Sequence, residues 1–469
     1  MQDTSEVTRR LWSLCSVLRD EGVTYHEYLN ELSYLLFLKL ADELQIEELI
    51  PSESRWHGLR AAPPSEALST YERTLQNLST AKSKIVREIY AESSTQVRNS
   101  MSLHKLISEI DAIDWYRAKQ NGLGDVYEGL IEKNAQESRY GAGQYFTPRP
   151  VVDALVKVLK PTGKETVYDP ATGTAGFLVA AGLFSRLASD SSLRLVGNEL
   201  VHDVQRMALM NLLLHGLRGD IKNVDTLSQP PLHPAADVIL TNPPFGLKGS
   251  LSSEQKKQLD FPTSNKQLAF IQHCYKSLAK NGRAAIVVPD NVLFESGVAC
   301  SIRKVLLDQF RLHTVLSLPI GIFYATGIRT SVLLISNDGG TEGTWFYNLR
   351  NGSASYGKRR QLTDRDLDDF VTVYGEDPHG RSPRQSSKRF HYLSRDEIAA
   401  DGERLDKAER FTSDTGSTAQ ASNLLDLTDL LSSELDTARS AVESLERILG
   451  TFGLSRPVAE TTDAQGMGE

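Results

Sequence analysis

Between about residues 136 and 350, short β-rich runs alternate with longer helix-patterned ones, and this rhythm restricts the fold more than any other feature. The spacing predicts strands at Thr166–Tyr168, ending at Asp169, at Leu193–Val196, closed by Glu199, and at Asp237–Leu240, closed by Asn242. Further strands are expected at Arg283–Val288, after an Asn281-Gly282 turn, and at His313–Leu318 and Thr330–Ile335. Helices are expected at Phe177–Leu187, His202–His215, Lys266–Lys280 and Ser301–Phe310. Strands and helices in this order build an α/β domain, a mostly parallel sheet flanked by helices on both faces. Ligands of such sheets gather outside the carboxyl ends of the strands.

The flanks differ. Residues 1–135 read as an N-terminal helical domain, with Leu32, Leu35, Leu36, Leu38 and Leu40 crowded into a segment rich in charge and Pro63-Pro64 breaking the region in two. The catalytic domain is expected over 136–395, and 396–469 as a linker and C-terminal helical tail. Residues 411–422 are rich in Ser and Thr; beyond them Leu424, Leu431, Ala438 and Leu445 recur every seven residues, with Leu435, Val442 and Leu449 between. That heptad seam suits a helix pairing with a partner helix, or equally one docked on its own core. Gly357-Lys358-Arg359-Arg360 reads as a solvated basic face rather than a DNA contact.

Composition narrows the class. Hydrophobic residues make up 40% and charged residues 24% of the 469, as in ordinary globular proteins. The chain shows no run of about 18 apolar residues and no basic-then-apolar leader at its start, so neither a membrane span nor secretion is expected. Cys15, Cys274 and Cys300 lie far apart without metal-ligand spacing; they read as reduced cytoplasmic thiols, and no metal is expected. The net charge of −8 leaves the chain poorly equipped to grip nucleic acid alone, because phosphate neutralisation supplies most non-specific affinity.

The chemistry concentrates in Asn242-Pro243-Pro244-Phe245, delivered to the sheet edge by a strand. The two prolines fix the backbone directly after Asn242. The Asn242 side-chain oxygen and the Pro243 carbonyl then form a pair of acceptors beside the flat face of Phe245. Such a pair suits a planar group carrying a poorly nucleophilic amine or amide nitrogen, whose lone pair it can draw out of conjugation. Upstream, Asp169 ends a strand and Gly173-Thr174-Ala175-Gly176 forms a small-residue turn before a helix, where glycine lets the backbone approach a ligand closely. Glu199, at the end of the next predicted strand, can accept both ribose hydroxyls. Turn and acid together point to an adenosine-bearing cofactor, and the spacing matches neither the dinucleotide fingerprint nor a Walker loop. Asp225 falls where a third strand end is expected and suits either the cofactor's adenine amine or a helix cap. Thr147, within Gln144-Tyr145-Phe146-Thr147-Pro148-Arg149, precedes a helix expected to begin near Val151, a place for a carboxylate or an ordinary capping turn.

In their order these segments resemble the modification subunit of type I restriction-modification systems, within the N6-adenine DNA methyltransferases. Leu35–Lys39, Gly124–Leu130, Thr263–Leu268, Val287–Phe294 and Gly321–Tyr324 also read like that family, so the resemblance covers about residues 1 to 380. It implies a Rossmann-like methyltransferase domain that transfers a methyl group from S-adenosylmethionine to adenine N6. Residues 144–149, 174–176 and Glu199 would hold the cofactor, and Asn242–Phe245 a flipped base. It also implies two modification subunits to one DNA-reading specificity subunit, with a restriction nuclease subunit completing the complex. Many relatives have Glu-Phe-Tyr at Gln144–Phe146 and glycine at Ala175. An acidic chain without an evident target-recognition domain fits recognition borrowed from a partner, with the heptads as its handle. Phe323 is a second candidate wall for the base pocket, or a core residue. Two rival readings stand beside this one: a protein glutamine methyltransferase, usually with Tyr at the position of Phe245, and a non-catalytic assembly subunit on the same fold.

Overall fold

The computed structural model describes residues 4–15, 17, 25–115, 122–137, 147–188, 193–245, 251–323, 328–350, 356 and 360–407. Its compact first unit runs from Met1 to Phe411; the heptad segment lies outside the described residues.

Nine strands form one sheet in the order β3-β2-β1-β4-β5-β7-β6-β8-β9. They are β1 Thr166–Asp169, β2 Arg194–Glu199, β3 Gly219–Asn223, β4 Ala236–Thr241, β5 Leu278–Pro289, β6 Arg311–Ser317, β7 Thr330–Ser336, β8 Gly343–Asn348 and β9 Phe390–Ser394. From β3 to β5 all pairings are parallel. β7 runs antiparallel between β5 and β6, β8 is parallel to β6, and β9 closes the edge antiparallel. The order reverses between β1 and β4, which opens a crevice at their carboxyl ends.

Side chains along each strand alternate between two cores. Val167, Val238, Leu240, Ala285 and Val287 face one, and Tyr168, Ile239, Ala284, Ile286 and Val288 the other. The first core is continuous with the N-terminal helices. Helix Tyr25–Glu43 shows why: Leu32, Leu35, Leu36, Leu38 and Leu40 are all fully buried, so apolar surface on several sides must be covered at once. Helix His202–Leu214 is buried from Val204 to Leu214, held between β2 and β3 below and the N-terminal helices above.

The six predicted strands and four predicted helices are present with ends shifted by a few residues. β5 starts earlier than expected, at Leu278. Asn281-Gly282 is a bulge inside the strand, with Asn281 at φ +62° and backbone bonds to Asn337 on either side. β3 supplies the third strand end expected near Asp225, whereas β8 and β9 lie outside the predicted set. β3 buries only Ile221, and β9, Phe-His-Tyr-Leu-Ser, is a short edge strand that fully buries only Phe390, so neither carries a clear apolar alternation to read. Residues 395–407 pack on the catalytic unit: Leu405 N–H donates to Leu293 O and Arg303 to Glu403 O. Among the described residues no helix is long and apolar enough to cross a membrane.

Candidate active site

The turn after β1 is built from its own hydrogen bonds. Asp169 is buried, and its Oδ1 accepts from Ala171 N (3.0 Å) and from the Thr241 hydroxyl at the end of β4 (2.7 Å). One carboxylate thus clamps the two strands at which the sheet reverses. Burial pushes this carboxyl up to about 7. Thr172 Oγ1 donates to Asp169 O and Thr226 Oγ1 to Pro170 O, fixing the rest of the turn.

Gly173 takes φ +54° and Ala175 φ +67°, the left-handed conformation that favours glycine. A methyl group placed on Gly173 or Gly176 would meet nothing within 4 Å, so the turn faces open space. Glu199 Oε2 accepts from Gly173 N (2.9 Å) and Oε1 from Val201 N (2.9 Å), and burial raises its pKa. Behind the turn Asn211, 1% exposed, donates to Thr174 O (2.9 Å) and to Glu128 Oε1 (3.3 Å).

At the end of β4, Asn242 donates its amide to Thr147 Oγ1 (2.9 Å). This bond orients the side chain and leaves Oδ1 buried with no hydrogen-bond partner. A buried acceptor left unmade costs about 1–3 kcal/mol, so an orphan at this position points to an absent donor. Phe245 is 2% exposed and packs edge to face on Phe323, centroids 5.5 Å apart.

Thr147 does not cap the following helix, which spans Arg149–Leu159 with Pro148 at its N-cap; its hydroxyl serves Asn242 instead. Arg149 is engaged by Glu128 Oε2 and Asp153 Oδ1 (2.5 and 2.8 Å). Gln144, Tyr145 and Phe146 lie outside the described residues. Asp225 caps the turn after β3. Its Oδ1 caps Leu227 N, and its Oδ2 accepts from Ser228 and Gln255.

The structure therefore brings Thr147, Asp169, Gly173–Gly176, Glu199 and Asn242–Phe245 to one sheet edge. Sequence reasoning missed Thr241 and Asn211. The signal for Asn211 was a lone amide inside the apolar run Met207–Leu214. A cavity of about 460 Å³ opens beyond the end of β5, lined by Pro289, Asp290, Phe294, Ser317 and Arg350; Asn242 does not line it. A smaller one of about 180 Å³, lined by Pro148, Arg149, Pro150 and Ile322, adjoins the Thr147 segment.

A family model described as N-6 DNA Methylase matches residues 118–417. The methylase subunit of the type I restriction enzyme StySPI of Salmonella potsdam is 40% identical over 431 residues, covering 85% of this chain and 81% of the relative. The crystal structure of the type I restriction enzyme EcoKI M protein is similar at 35% identity and a TM-score of 0.52, covering 86% of this chain and 89% of that one. A structure solved for complex assembly and conformational transition of the type I R-M system gives a TM-score of 0.73 at 25% identity, covering 93% and 98%. The relatives favour neither a protein glutamine methyltransferase nor a bare assembly subunit. With the reversing sheet, the open glycine turn and the Asn-Pro-Pro-Phe strand end already in place, these likenesses show that the chain belongs to the N-6 DNA methylases, among the methylase subunits of type I restriction enzymes.

Proposed function

We propose that Asn242 and Pro243 are the residues through which this adenine-N6 methylase activates its target, that S-adenosylmethionine is its methyl donor, and that a specificity subunit reads the DNA for it. The observation that carries the site is the Asn242 side chain, its amide spent on Thr147 and its Oδ1 buried and unpartnered. Adenine N6 is a poor nucleophile because its lone pair is delocalised into the ring. Asn242 Oδ1 accepts one N–H and the Pro243 carbonyl the other, which draws the nitrogen toward tetrahedral geometry and releases that pair. Pro244 holds the Pro243 carbonyl in place.

When bound, S-adenosylmethionine supplies an electrophilic methyl group on a sulfonium sulfur. Its fit rests on the open face of Gly173 and Gly176 and on Glu199, each of whose oxygens has a second lone pair for a ribose hydroxyl. Thr174, Ala175 and the 144–149 segment complete the proposed cofactor wall. Asp169 supports it from behind, and Asp225 props the neighbouring turn. The target base leaves the duplex at a cost of roughly a few kcal/mol and enters beside Phe245 and Phe323. The net charge of −8 favours a partner that supplies the basic DNA surface. In a type I complex that partner is the specificity subunit, with a nuclease subunit added for restriction.

The test is to co-express the chain with an adjacent specificity subunit, supply DNA and S-adenosylmethionine, and measure N6-methyladenine by mass spectrometry. Product is expected with both subunits present and far less with either alone. Asn242→Ala is expected to lower turnover by about a hundredfold or more while S-adenosylmethionine still binds. Near-normal turnover in that variant would remove Asn242 from the mechanism.

A further inference from the structure

On the far side of the Gly173–Gly176 turn, two acids and a histidine converge from separate parts of the chain. Asp125 and Glu128 stand three residues apart on helix Leu123–Glu137, and so share a face. His215 is the residue at which helix His202–Leu214 ends. One ligand atom from each lies within 4.8 Å of the other two.

The histidine is presented in a particular way. Its side chain is 6% exposed, and its Nδ1 stands 2.9 Å from the Asn211 carbonyl, which can only accept. Nδ1 therefore carries the proton, and in the neutral ring Nε2 keeps a lone pair. That Nε2 is buried, makes no well-aligned hydrogen bond and points into the cluster, 3.5 Å from Asp125 Oδ1, with which it forms an ion pair when the ring is protonated. A backbone carbonyl on one imidazole nitrogen, with the other held toward carboxylates, is how proteins orient a metal-binding histidine. The ring fits only because residue 124 is glycine: a methyl group there would stand 2.4 Å from Nε2.

Charge agrees. Arg149 bridges Glu128 and Asp153, so three carboxylates, with Asp125, face one guanidinium. Asp125 is 52% exposed in its side chain and can rotate to close the site to the roughly 2.0–2.2 Å that such ligands require.

We propose that Asp125, Glu128 and His215 bind one divalent first-row transition cation, joining helix Leu123–Glu137 to the end of helix His202–Leu214. One imidazole and two carboxylates suit Zn²⁺ or Mn²⁺ better than Mg²⁺, which retains its water and avoids nitrogen. Because Asn211 links Glu128 to the Thr174 carbonyl, the cation steadies the support beneath the glycine turn.

The full chain, stripped of metal by chelation, is titrated with Mn²⁺ and followed by electron paramagnetic resonance, a probe for which the thiols compete poorly. Zn²⁺ is then added as competitor, and thermal midpoints are read with and without each cation. One Mn²⁺ per chain is expected, displaced by Zn²⁺, with a higher midpoint in its presence. His215→Gln and, separately, Asp125→Asn are expected to weaken binding at least tenfold and to abolish the rise. Asp125 is the more exposed position and keeps the test valid if the histidine variant folds poorly. Absence of stoichiometric binding, or binding unchanged in both variants, overturns the proposal. So does a midpoint that follows pH through the histidine range and ignores both cations, which makes the trio an ion pair only.

Discussion

Asn242 is held by one hydrogen bond and defined by the one it lacks. Thr147 Oγ1 takes the amide N–H, so it is the Thr147 hydroxyl that decides which way Oδ1 points. Thr147→Val removes that acceptor without changing the shape of the side chain. Turnover is expected to fall about tenfold, the value of one modest hydrogen bond that orients a reacting group, with the fold unchanged. Steady-state methylation assays with circular dichroism check this, and wild-type turnover would free Asn242 from dependence on Thr147. Asp169 makes a second prediction. Burial raises its pKa from 3.8 to about 7, so between these values the folded protein holds a proton that the unfolded chain releases. Its contribution to stability is complete below about pH 4 and is lost as pH rises to about 7, at no more than about 1.4 kcal/mol per pH unit. Asp169→Asn keeps the Oδ1 acceptor for Ala171 and Thr241 but cannot titrate. Urea unfolding at pH 5, 6 and 7 is expected to show the variant gaining on wild type as pH rises; parallel curves would place the titration elsewhere.

At the scale of elements, the site depends on where helix Arg149–Leu159 begins, and that is set by how it ends. Arg283 of β5, 4% exposed, donates to Leu159 O (2.6 Å) and Lys160 O (2.9 Å) and forks onto Glu165 (2.7 and 3.1 Å). A single guanidinium thereby fastens the helix end, the loop into β1 and the central strand. Arg283→Met leaves Glu165 and two carbonyls without their donor, and is expected to cost about 3–5 kcal/mol in denaturant unfolding. A loss below about 1 kcal/mol would mean that packing alone fixes the helix. The legible elements were those with a period. β1, β4 and β7 are apolar runs buried on both faces, and Gly176–Leu187 and Lys266–Ser277 are helices starting at recognisable turns. β8 and β9 pair at the margin of the sheet, where registry with β6 decides their conformation more than their own side chains do.

The compact unit that ends at Phe411 joins a helical half to a sheet half through helix His202–Leu214, covered on both sides. Since the compact unit ends at Phe411, a chain cut after residue 411 is expected to unfold at the same temperature as the full chain. It is also expected to lose partner-dependent methylation if the heptads beyond residue 424 are the handle for the specificity subunit. Calorimetry and co-purification separate these outcomes; a truncated chain that still co-purifies with its partner places the handle elsewhere.

The sequence by itself determined the α/β class and the strand ends that carry Asp169, Glu199 and Asn242, because these depend on local periodicity and on residues adjacent in the chain. Only the tertiary structure decided that Thr147 serves Asn242 rather than a helix, that Asp225 caps a turn, that Phe245 packs on Phe323, and that His215 meets Asp125 and Glu128. All but the Asp225 cap join residues far apart in sequence. A side chain that can hydrogen-bond in several directions takes its role from the neighbour that folding brings to it, and no local pattern carries that neighbour's position.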